Sequence, residues 1–274
     1  MTGLALVAIL TSQGVPRSQC FPLEELPKPL RPKAEGMLLK ALDSEALYTI
    51  VGGLKPMSSG WVSSRFEVDK SDLREAEEIR QILRTFRVGD EVSASLVPFW
   101  RVFDGKRYLD GAIFHRPSMA EVVQRHASFF GFYGITPSSS GEQIVASFET
   151  DATSRRNFGY GVLFGYPLHA VRFFVDSTEK ERQDGKLVPR DFLSIPTFVG
   201  EANHFVYAVP KGHIVNDDDR ALREKATPIL ATYKEMRAKY IGKGKKGVLA
   251  LIRDWMDNGR GQCSPATARA KSGR

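Results

Sequence analysis

Between Ser71 and Phe86 the apolar residues Leu73, Ala76, Ile79, Leu83 and Phe86 recur every three or four positions, with charges between them. That period predicts an amphipathic helix over 72–86 behind a serine cap. Similar patterns predict helices over 33–42 and 44–51, the second stopped by Gly52 and Gly53. Ser118 with Glu121 reads as a capping box, opening a helix that carries Met119, Val122, Val123, His126, Phe129 and Phe130 on one face. Ser139 with Glu142 repeats the device before a helix ending at Phe148. Pro167 suits the first position of a helix to Arg182, Asn216 with the following aspartates caps one reaching Tyr240, and 247–257 closes the series.

Strand patterns interrupt this helical background twice. Residues 91–103 and 106–115 are rich in Val, Phe, Trp and Ile and meet at Asp104-Gly105, a two-residue hairpin signal. Residues 191–199 and 203–209 form a second pair around Gly200-Glu201-Ala202, with Pro196 marking an edge strand. The expected class is α+β, with the two hairpins sharing one antiparallel sheet and about six to eight helices flanking it.

The ends read differently from the body. Leu4 to Leu10 is an uninterrupted apolar run, and Ser12 and Gly14 have the small-x-small spacing of a cleavage site, so residues 1–14 read as a signal peptide, with a buried first strand of a cytosolic protein as the alternative. Residues 15–32 carry five prolines and read as an extended linker, which makes signal, spacer and domain a coherent order for export. The expected organisation is then a single domain over 33–258 and a basic disordered tail over 259–274. Cys20 and Cys263, the two cysteines, flank that domain; they would tie the termini together in an oxidising compartment and be inert thiols in the cytosol. No run elsewhere is long and apolar enough to span a bilayer.

Charge narrows the partners. The formal net charge is +7, but the stretch from Ile241 to Arg274 holds eight basic and two acidic residues, which leaves the body before it nearly neutral. A docking face for nucleic acid needs basic residues spread over a folded surface, so a nucleic-acid partner is not expected.

Candidate chemistry gathers between Arg116 and Asp176. His126 and His169 sit there among eleven aromatic residues, including Phe129, Phe130, Tyr133, Phe158, Tyr160 and Tyr166. Such density demands burial, either as core or as pocket lining. The leading expectation is a pocket for a small-molecule or lipid-like ligand, oriented by Tyr166, His169, Arg172 and His126. Lys55 and Trp61, in the loop 54–61, would close its mouth. The catalytic alternative is a hydrolase or metal-dependent enzyme in which His169, at a helix start that favours neutral imidazole, converges with His126 and a carboxylate such as Asp176 or Glu121. The third reading is a structural protein whose aromatics are simply core. No H-x-x-x-H, H-x-H or H-x-x-E spacing joins His115, His126, His169, His204 or His213, so no metal site is assigned and any such site needs ligands from separate elements. The Asp217-Asp218-Asp219 run reads as helix capping, and the glycine-lysine stretch 242–247 as a hinge.

Overall fold

The computed structural model describes residues 14–70 and 72–273, except the side chains of 201–204. The signal run expected at Leu4–Leu10 therefore lies outside the described residues.

The chain begins by pairing with its own end. Strand β1 (Val15–Pro16) runs antiparallel to Gln262–Cys263, with Val15 opposite Cys263. The proline-rich stretch that follows is no free linker. It folds into three 3-10 turns and sends Cys20, Phe21, Leu23 and Leu26 into the core. Prolines shape the turns while the apolar residues between them supply burial, which an extended spacer does not need. Helix α1 (Arg31–Asp43) starts on Pro32 and buries Ala34, Met37, Leu38, Ala41 and Leu42. The short α2 (Leu47–Ile50) is buried throughout.

Next come β2 (Met57–Ser58), β3 (Ser63–Glu67) and the amphipathic α3 (Arg74–Arg84). Strands β4 (Val92–Phe103) and β5 (Lys106–His115) form the first hairpin. Asp104 and Gly105 both adopt positive φ, +47° and +69°, as a two-residue turn matched to strand twist requires. β5 is central: β4 lies along one side, and β3 and β2 share the other, all antiparallel.

From the end of β5 the chain is helical through α4 (Arg116–Arg125), α5 (Ala127–Gly131), α6 (Gly141–Glu149), α7 (Thr153–Leu163) and α8 (Leu168–Asp184). Two caps differ from expectation. α4 begins three residues early, its first turn capped by His115, which accepts a hydrogen bond from the Ser118 backbone N–H. The box on α6 is Ser140 with Gln143, one residue later than the sequence suggests.

Strands β6 (Arg190–Thr197) and β7 (Gly200–Pro210) make the second hairpin, turning at 198–199 rather than 200–202. The α+β class stands, but the two hairpins form separate sheets instead of one. In the second sheet β7 packs against α8 and β6 against α9 (Asp217–Tyr240).

The expected tail is also ordered. After α10 (Val248–Met256), strand β8 (Gln262–Cys263) and helix α11 (Pro265–Ser272) pack back onto the body, burying Cys263, Ser264, Pro265 and Ala268. Apolar and small residues face inward there, while Arg260, Arg269 and Lys271 stay exposed. Cys20 and Cys263 are free, buried thiols held side by side, with no disulfide joining them. The neighbouring Cys263 thiol and burial push Cys20 above the usual thiol range. No described helix is long and apolar enough to cross a membrane.

Two buried clusters result. The larger joins α1–α3, the second hairpin and α9–α11, and the smaller joins the end of β5 to α4–α8. The candidate sites lie along their junction.

Candidate functional site

The aromatic segment packs ring against ring, with Phe130 and Phe148 fully buried and most of the others half-buried. Phe129 packs at 5.0 Å from Phe130, 4.8 Å from Phe158 and 5.5 Å from Tyr133, and Phe148 meets Tyr160 edge-on at 5.3 Å. Edge-to-face and tilted pairs of this kind are the preferred packing of rings, each adding about 0.5–1.5 kcal/mol beyond burial. Helix α7 comes close because Gly159 and Gly161 carry no side chain: a Cβ on Gly161 would lie 2.8 Å from Val171.

Beside this core a half-open cleft of about 700 Å³ separates α4, the turn between α7 and α8, α9 and α11. Its apolar lining includes the buried Val122, Val162, Leu222 and Ile229. Around them stand the exposed Glu121, Arg125, Asp218, Lys225 and Arg269. One wall depends on Gly165, whose φ is +73° and whose Cβ position is 2.9 Å from the Leu54 carbonyl. That contact presses the α7–α8 turn against loop 52–56 and presents Tyr166 and Leu168 to the cleft. At the back, Ser118 donates to the Gly53 carbonyl at 2.6 Å and lies 2.8 Å from His115 Nδ1. Burial and the nearby Arg269 charge lower the His115 pKa to about 4, so the imidazole is neutral near pH 7.

The sequence-based site residues disperse. Tyr166 and His126 do line the cleft, with Glu121 beside them. His126 joins α4 to α5, packs edge-on against Phe158 at 5.5 Å, and is held below its ordinary pKa by burial, Arg125 and Arg172. Arg172 and Asp176 lie exposed on α8, outside the cleft lining. Lys55 cannot close a mouth because it is fully buried, ion-paired with Glu45 and held 4.2 Å from the Phe205 ring centre. Burial lowers its pKa despite the Glu45 charge. Trp61 is core, stacked on Phe86 at 5.9 Å.

His169 finds other partners. At the start of α8 its Nε2 lies 3.3 Å from Asp219 Oδ1, and His213 Nε2 lies 2.7 Å from Asp219 Oδ2. The two imidazoles stack at 5.2 Å with 14° between their planes. Tyr207 on β7 donates to Asp219 Oδ1 at 2.8 Å, and the Asn216 backbone N–H donates to Oδ2 at 3.1 Å. Burial raises the Asp219 pKa, but the hydrogen bonds from His213, the Asn216 backbone and Tyr207 outweigh it and leave the carboxyl below its ordinary range. His169 Nε2 is itself buried without a well-directed hydrogen bond, despite its distance from Asp219.

The sequence names His213 as a possible ligand and Asp219 as a capping residue, a role the α9 capping box gives it, but joins neither to His169. A signal was present: Asp219 lies three residues before Leu222 and seven before Ala226, on the same face as Ile229 and Tyr233, all buried along α9. Helical period alone places that aspartate inward and its neighbours Asp217 and Asp218 outward. Nothing local, however, links His169 to an element almost fifty residues away.

Neither a family model, a curated protein nor a solved structure matches this chain significantly, so its function is argued from its own geometry.

Proposed function

We propose that the protein binds a small molecule with an apolar body and a charged or polar end in the cleft between α4, the α7–α8 turn, α9 and α11. The observation that carries this reading is the pairing of a buried apolar lining with an exposed ring of charge in a cavity of about 700 Å³, a size suited to small ligands. The apolar residues favour desolvating a hydrocarbon or ring system, and Arg125, Lys225 and Arg269 favour an anionic group over a purely neutral ligand. Tyr166 and His126 both belong to this lining. The proposal concerns binding rather than turnover, since His169, the base of the catalytic alternative, is engaged with His213 and Asp219 instead of facing Glu121 and His126.

A fluorescent anion with an apolar body, 8-anilinonaphthalene-1-sulfonate, tests it. The folded protein should bind one equivalent saturably. Ala221→Trp, which fills the cleft from α9, should weaken binding by more than about tenfold while the melting temperature changes little. Unchanged affinity in that variant would remove the cleft from consideration.

A further inference from the structure

We infer that His169, His213 and Asp219 form a binding site for a divalent transition-metal ion, separate from the cleft and independent of the ligand proposed for it. One donor atom from each residue falls within 4.8 Å of the other two. Imidazole and carboxylate together suit zinc and its neighbours better than magnesium or calcium, which take oxygen ligands. Bond lengths of about 2.0–2.2 Å place tetrahedral donors about 3.3–3.6 Å apart. The His169 Nε2 to Asp219 Oδ1 distance of 3.3 Å already meets that requirement. The 2.7 Å contact between His213 and Asp219 opens slightly when the ion replaces the shared proton.

Three further features favour an ion over a purely hydrogen-bonded cluster. First, His169 Nε2 is shut off from solvent with no well-formed bond, a cost the ion would relieve. Second, the carboxylate is prepared by groups that need not move: Tyr207 holds Oδ1, and the Asn216 N–H holds Oδ2. Such outer partners fix the direction of a ligating oxygen. Third, the ligands come from three places, the start of α8, the loop after β7 and the first turn of α9, and the two rings are already stacked toward one carboxylate. Three protein ligands leave room for water or another small donor, as in open zinc sites.

Binding through Nε2 puts the ring proton of each histidine on Nδ1. For His169 that nitrogen faces the Asn216 amide nitrogen at 3.4 Å, a donor, so the long contact is given up on binding. Asn216→Asp keeps a good helix cap and places an acceptor there.

The test is Zn²⁺ titration by calorimetry into the tag-free chain after chelator treatment, repeated with Co²⁺ for its visible absorption. The expected result is one ion per chain, with Co²⁺ bands indicating four- or five-fold coordination. His169→Gln and His213→Gln should each weaken binding by more than about 100-fold, while Asn216→Asp strengthens it and His126→Gln leaves it unchanged. His169→Gln is the decisive variant, because its ring is partly exposed and its Nε2 makes no formed hydrogen bond, so the fold survives its loss. No stoichiometric binding to the native chain, or equal affinity in the His169→Gln variant, would overturn the assignment. Ala221→Trp should bind Zn²⁺ normally, which keeps failure of the cleft proposal distinct from failure of this one.

Discussion

The aromatic wall of α5–α7 and the histidine corner of α8, β7 and α9 differ in what they leave unused. In the wall, Phe129, Phe130, Phe148 and Phe158 satisfy one another ring against ring, and the glycines of α7 remove the remaining space. In the corner, a buried carboxylate draws two imidazoles toward itself and one ring nitrogen remains without a formed bond. Apolar density therefore marks where the chain spends its burial, whereas chemistry is found where polar groups from distant segments are forced together. The cleft combines the two characters, with an apolar lining from α4, α7 and α9 and charged residues around it.

The largest expected effect that sharpens this contrast is on stability. Phe148 is fully buried among Phe129, Tyr133 and Tyr160, so Phe148→Ala should cost about 3–5 kcal/mol in denaturant unfolding. If the wall were a ligand pocket rather than core, the loss would be far smaller and probe binding would change instead.

Acid should reveal the next effect. His115 has a folded pKa of about 4 against roughly 6.5 unfolded. Between those values the unfolded chain binds the extra proton, so stability falls as pH drops from about 6.5 to about 4 and levels off below. The histidine contributes on the order of 3 kcal/mol to that fall, and none above the unfolded value. Unfolding curves for His115→Asn, which retains a cap on α4, should lack this part of the acid loss. An identical pH profile in the variant would show that the imidazole behind the cleft is not held neutral by burial.

The smallest effect belongs to the wall's outer edge. Phe132 is 66% exposed, with the Arg155 guanidinium 4.1 Å from its ring centre. Phe132→Ala should change stability by no more than about 1 kcal/mol. A loss comparable to that of Phe148→Ala would mean that aromatic content, not burial, sets the energetics.

Much of the fold was legible because its signals are local. Asp104-Gly105 announces its hairpin through two positive φ angles, and Asn216 announces α9 because its side chain caps the backbone three residues on. Residues 15–32 misled because prolines advertise an extended chain while Phe21, Leu23 and Leu26 bury themselves between the turns. The separation of the two sheets was invisible, since hairpin patterns encode pairing within each hairpin and not between them. Site residues were legible only in part. Tyr166 and His126 line the cleft without the other aromatic residues of their segment, and the meeting of His169 with His213 and Asp219 depends on how α8 and α9 pack against β7, which no spacing in the sequence records.

The most direct measurement is amide chemical-shift mapping of the deuterated protein with 8-anilinonaphthalene-1-sulfonate. The largest changes should fall at 52–54, 118–126, 165–168 and 221–229, with the amides of Phe129, Phe130 and Phe148 nearly still. Changes centred on those phenylalanines, with the cleft amides unmoved, would contradict the account and return the binding site to the aromatic wall.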